Sequence, residues 1–145
     1  MEFNENMSTT PFISLIFRKH AKYLNKRMES VNLTFGLYPF LIEIYSNDGI
    51  SQEDLAKILY LNESTVTRNL EKLEKRGLIV RTPNKRKKII TITDEGKEVA
   101  KIVMDYDEKW DDIIKKDLSE EEYNSFKKTL IKICEGLVWI KLLKI

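Results

Sequence analysis

Apolar residues recur along most of this chain at spacings of three and four, the period of a helix buried on one side. Phe12, Leu15, Ile16 and Tyr23, with Lys19, share one stripe and predict a helix over 11–29, opened by Pro11 and capped by Ser8 or Thr9. Residues 1–7 show no period and read as a frayed start. Phe35, Leu37, Phe40, Leu41 and Ile44 predict a second helix, capped by Thr34 and closed by the Asn47-Asp48-Gly49 turn. Ser51 with Asp54 is a capping-box-like start for a short helix that buries Leu55, Ala56 and Leu59. Asn62 caps a helix over 63–76, whose inward face is Val66, Leu70 and Leu73, and Gly77 suits its left-handed end. The period then changes to two. Residues 78–81 and 88–93 predict a hairpin around a polar tip, Thr82 to Lys87, with Ile90 and Ile92 on one face and Ile89, Thr91 and Thr93 on the other. Thr93 caps a long helix over 94–116 with Val99, Ile102, Val103, Tyr106, Trp110, Ile113 and Ile114 on its stripe. Ser119 and Glu122 form a capping box for a last helix to the C-terminus.

These elements predict a mainly α protein with a small β-hairpin wing. Residues 1–145 read as one domain. Within it, 34–93 form a winged helix-turn-helix, and 8–30 with 94–145 form a helical region around it. The last helix carries Tyr123, Phe126, Leu130, Ile133, Leu137, Ile140 and Leu143 in one stripe. On a monomer that face would be an exposed apolar patch, so a two-fold homodimer is expected; the alternative is a helix folded back on its own core.

Charge sharpens the picture only when read by segment. The net charge is +2, yet Lys57 to Lys88 holds ten Lys/Arg against three Glu, a net of +7. Asp105 to Glu122 holds nine acids against three Lys, a net of −6. The positive charge therefore sits on the helix-turn-helix and hairpin. A single Cys excludes an internal disulfide and a zinc finger, and a single His excludes a histidine-rich metal site. Cys134 lies in an apolar run and is expected to be an inert buried thiol. There is no glycine-rich phosphate loop and no GxSxG, so no enzyme, cofactor or metal is expected. No signal pattern appears, and no apolar run reaches the roughly 18–20 residues that span a bilayer. A soluble cytoplasmic protein without a membrane role is expected.

The outward face of the 63–76 helix carries Ser64, Thr65, Arg68, Glu71, Lys72 and Lys75. Small hydroxyls at its positive N-terminal end suit close approach to base edges and phosphates, and Arg68 can fork onto guanine or phosphate. Lys72, Lys75 and Arg76 suit positioning contacts to phosphate. Lys85, Arg86, Lys87 and Lys88 repel one another unless a polyanion neutralises them, and a long base at a hairpin tip can reach a minor groove. The bland alternative is a solvated helix face and a charged turn. Together the elements favour double-stranded DNA as partner.

Leu33-Thr34, Ser51 to Ala56, Ser64 to Leu70, Leu73 to Ile79 and Ile92 to Gly96, in this order, resemble the MarR (multiple antibiotic resistance regulator) family of winged helix-turn-helix transcription regulators. The resemblance extends over nearly the whole chain. It implies a homodimer, most often a repressor, that lays two recognition helices in successive major grooves of a pseudo-palindrome and its wings in the flanking minor grooves. It implies Ser64, Thr65, Thr67 and Arg68 as recognition residues and Arg86 as the wing-tip arginine of the family's Asp-x-Arg motif. Here Asn84 replaces the bracing Asp, and Tyr60 stands where the family often has Gly. The resemblance also implies a small aromatic or anionic effector in a cleft between the dimer helices and the DNA-binding lobe. His20, Tyr23, Phe35, Tyr38 and Tyr45 are candidates to line it, and occupancy would shift the spacing of the recognition helices. Two other readings stay open: a winged helix used for protein–protein assembly, and an enzyme.

Overall fold

The computed structural model describes residues 2–140, with side chains to Val138. Its elements are α1 (Thr10–Met28), a short 3-10 turn (Glu29–Val31), α2 (Tyr38–Ser46), α3 (Gln52–Leu59), α4 (Glu63–Lys75), β1 (Ile79–Asn84), β2 (Lys87–Ile92), α5 (Asp94–Lys115) and α6 (Glu120–Ile140). The chain divides after Asp107 into two compact units.

In the first unit, the stripes of α2, α3 and α4 meet over the hairpin. Leu41, Ile44, Leu55, Val66, Leu70, Leu73, Leu78 and Ile90 are fully buried there, joined by Leu24 and Met28 at the end of α1 and by Val103 of α5. Most predicted caps form. Ser51 Oγ accepts the Asp54 N–H at 3.1 Å, Asn62 Oδ1 accepts the Thr65 N–H at 2.8 Å, and Thr93 Oγ1 accepts the Gly96 N–H at 3.0 Å. Gly77, at φ +73°, closes α4 with paired bonds: its N–H reaches Glu74 O at 2.9 Å and the Leu78 N–H reaches Leu73 O at 3.1 Å.

The structure corrects the sequence reading in several places. α1 starts without a side-chain cap, and its N-terminal half is not a buried stripe, since Ile13, Ile16 and Phe17 are exposed. Thr34 does not cap α2. Residues 35–37 form a turn and the regular helix begins at Tyr38, because Pro39 has no N–H to return to the Phe35 carbonyl. The hairpin is longer than its apolar runs suggest. Asn84 pairs with Lys87 and Pro83 with Lys88, so the tip is only Lys85-Arg86, and Lys87 and Lys88 stand on β2. Lys85 adopts φ +59° to make so tight a turn. Tyr60 closes α3 at φ +54°, which explains why glycine suits that position.

The hairpin is gripped from its second edge as well. Ile90 exchanges main-chain bonds of 2.9 Å with Gly49 and Ile50, and Asp48 Oδ1 accepts the Ile92 N–H at 2.9 Å. Gly96 permits close packing at the start of α5, for a Cβ there would lie 2.1 Å from Leu78 O and 2.8 Å from Ile92 Cγ1.

In the second unit, Ser119 and Glu122 complete the capping box at the start of α6, with bonds of 3.0 and 3.1 Å. Tyr123 donates to Asp111 Oδ2 at 2.5 Å, which holds the phenol above its ordinary range. Leu130, Ile131, Ile133 and Leu137 of α6 are exposed on the single chain. Cys134, expected to be buried, is exposed on the single chain as well. Leu143 of the predicted stripe and the side chain of Ile140 lie outside the described residues.

Candidate nucleic-acid interface

The Asn62 cap puts a helix N-terminus, with its free N–H groups and positive end, at the start of the outward face of α4. Ser64 is exposed and donates to Asn62 Oδ1 at 2.8 Å. Thr65 is half-buried, and Arg68, one turn on and exposed, reaches back with Nη2 3.4 Å from Thr65 Oγ1. Lys72 and Lys75 continue this face in the open. Arg76 does not. Its guanidinium donates to the main-chain oxygens of Val31 (2.8 Å) and Asn32, tying the end of α4 to the turn after α1.

Thr67 stands apart from its neighbours. Its hydroxyl donates to Glu63 O at 2.9 Å and accepts from Gln52 Nε2 at 2.6 Å, so it links α4 to α3. Gln52 lies in a groove with Ser51, Glu53, Glu63, Arg86, Lys87 and Lys88, which brings the wing cations alongside the start of α3. All four wing bases are exposed.

The wing has a brace that sequence reading missed. Arg81 on β1 donates from Nη2 to Glu74 Oε1 at 3.1 Å, and its main-chain N–H donates to Glu74 Oε2 at 3.0 Å. The Arg81 side chain is 13% exposed and that of Glu74 40%. The hydrogen bond from Arg81 holds the Glu74 carboxyl below the usual carboxylate range. With Asn84 in the wing, this pair ties hairpin to recognition helix at the hairpin's root. The only signal in the sequence was two opposite charges seven residues apart across a glycine-ended helix.

Of the candidate effector residues, the structure brings three together. His20 Nε2 lies 3.3 Å from Asp107 Oδ1, and the His20 and Phe35 rings meet edge to face at 5.3 Å. Burial, with the Asp107 carboxylate as hydrogen-bond partner, pushes the Tyr38 phenol up. Asp107 thus joins α1, α2 and α5, and sequence reading did not single it out. Tyr23 lies one turn beyond His20, with the Arg27 guanidinium 3.4 Å over its ring, and Tyr45 is half-buried against the core on α2.

Two helices joined by a tight turn, then a basic hairpin braced to the second helix, define a winged helix-turn-helix protein. The MarR family model matches residues 33–88. The chain is 32% identical over 135 residues to the HTH-type transcriptional regulator BilQ of Clostridioides difficile (strain CD3), covering 90% of this chain and 91% of that protein. It is also similar to a solved MarR-family transcriptional regulator of Listeria monocytogenes complexed with a 26mer DNA, with TM-score 0.84, 28% identity and 95% of each chain covered. The S. aureus MepR–DNA complex aligns with TM-score 0.84 and 25% identity over 91% of this chain and 99% of the other. The chain belongs to the MarR family and is a transcription regulator. Among the described residues, no helix is long and apolar enough to cross a membrane.

Proposed function

We propose that this protein binds double-stranded DNA as a homodimer and represses transcription at a pseudo-palindromic operator. The observation that carries this reading is the joint display of the α4 N-terminus, exposed Arg68 and the basic wing on one braced unit. Two related solved structures hold DNA, which supports it. Ser64, Thr65, Thr67 and Arg68 approach the bases. Lys72, Lys85, Arg86, Lys87 and Lys88 meet phosphate or the minor groove. Residues 34–93 serve as the DNA-binding lobe, and 8–30 with 94–145 as the dimerisation region. The exposed apolar residues Ile13 and Phe17 of α1 and Leu130, Ile133 and Leu137 of α6 support burial against a second copy. The protein acts on the chromosome in the cytoplasm and catalyses no reaction, a reading its regulator relatives support. The His20, Phe35 and Tyr38 cluster about Asp107 is the place for a small aromatic effector, flanked by Tyr23 and Tyr45, whose binding would release DNA.

The test is binding to the DNA upstream of the protein's own gene, across a salt series, against random DNA. Tight binding that falls steeply with salt at a two-fold symmetric site is expected. Equal weak binding to both, with no site recovered by genome-wide selection, would favour a winged helix serving a protein partner.

A further inference from the structure

Thr67 lies on the flank of α4 toward α3, with its hydroxyl already committed. The hydroxyl has one proton, which goes to the Glu63 main-chain oxygen at 2.9 Å, the carbonyl one turn back. On its other side it accepts from Gln52 Nε2 at 2.6 Å. These contacts come from two different helices, so together they fix the side-chain rotamer. To donate to a base or phosphate, the hydroxyl would have to break the Glu63 bond. The methyl group is the part of this half-buried side chain that neither contact holds. Thymine is the base that displays a methyl in the major groove, and a threonine methyl is a fitting contact for it.

We propose that Thr67 reads operator DNA through its methyl group, against the C5-methyl of a thymine, with Gln52 as the residue that positions it. This rests on the DNA reading above. It assigns the Thr65 hydroxyl, the Arg68 guanidinium and the accepting oxygen of Ser64, whose proton goes to Asn62 Oδ1, to polar recognition, and Thr67 to apolar recognition. Gln52 lies at the first position of α3, so the hold on Thr67 also couples the recognition helix to the helix beneath it.

The test uses the full-length protein and the duplex it selects. Deoxyuridine replaces each thymine of a half-site in turn, which removes one methyl and leaves every hydrogen-bonding group in place. At one thymine per half-site, wild-type affinity should fall about fourfold, the worth of one buried methyl group. Thr67→Val removes both bonds but keeps the methyl, and a helical Val is nearly confined to one χ1 rotamer, so this thymine dependence should remain. Thr67→Ser keeps the hydroxyl and its two partners, and should lose the dependence at that thymine alone. Gln52→Ala removes one of the two holds on the Thr67 rotamer and should blunt the dependence without changing the salt slope. Loss of the dependence in Thr67→Val with retention in Thr67→Ser would overturn the proposal. So would a wild-type protein indifferent to every thymine methyl, an arm that needs no variant to fold. Wild-type protein that selects no DNA at all would overturn the DNA reading itself, a distinct result.

Discussion

Arg81 and Glu74 face each other across the junction between recognition helix and wing, joined by a side-chain bond of 3.1 Å and a main-chain bond of 3.0 Å. The pair keeps the first wing strand on α4 while the hairpin tip, which has no acid at Asn84, stays free to display its cations.

Glu74→Ala should therefore leave a largely buried guanidinium without its acceptor. The carboxylate is itself partly exposed, so water softens the loss, and a cost of about 1–2 kcal/mol is expected in urea unfolding. The pH dependence has a definite sign. The folded carboxyl is lowered by Arg81, so its contribution is present above the ordinary glutamate range and is lost as pH falls through the lowered value. The stability gap between wild type and Glu74→Gln should hold at neutral pH and narrow on acidification. A gap that widens in acid would show that the pair is not the brace.

Gly96→Ala should destabilise the protein by about 2 kcal/mol or more, since the new methyl meets a main-chain oxygen that cannot swing aside. The clash with Leu78 O would push the start of α5 off the root of β1. A urea midpoint unchanged from wild type would show that this junction is not closely packed.

Arg68→Ala should cost about 1–3 kcal/mol on operator DNA and relax preference at one base position. Lys87→Ala should instead lower the log–log salt slope by about 0.9, one phosphate's worth, and leave base preference alone. Titrations at three salt concentrations separate the two effects. A changed base preference in Lys87→Ala would mean that the wing reads sequence.

Leu137→Glu puts a charge on the exposed apolar face of α6, 58% exposed on the single chain. Sedimentation equilibrium should show a dimer for wild type and a shift to monomer for the variant, with cooperative thermal unfolding retained by the core of the first unit. A variant that remains dimeric would move the interface elsewhere.

Much of this molecule was legible before folding. The caps at Ser51, Asn62, Thr93 and Ser119, the glycine end at Gly77 and the stripes of α3 and α4 all involve residues within two turns of each other. The same is true of the outward placement of Ser64 and Arg68, which helical period alone decides. Apolar period places the start of α2 too early, because it does not register the N–H that Pro39 lacks. The hairpin tip is shorter than the pattern suggests because polar strand residues carry no hydrophobic period, so Thr82, Pro83, Asn84 and Lys87 read as loop.

The chain by itself determined the order and type of its elements, the caps of α3, α4, α5 and α6, and the side of α4 that faces out, since those follow from forces acting within a turn or two. Only the tertiary structure decided which distant side chains meet. Gln52 and Thr67, Glu74 and Arg81, and His20 and Asp107 are joined when elements fold back on one another. Their pairing depends on crossing geometry and packing in the core, for which neither period nor propensity holds a signal.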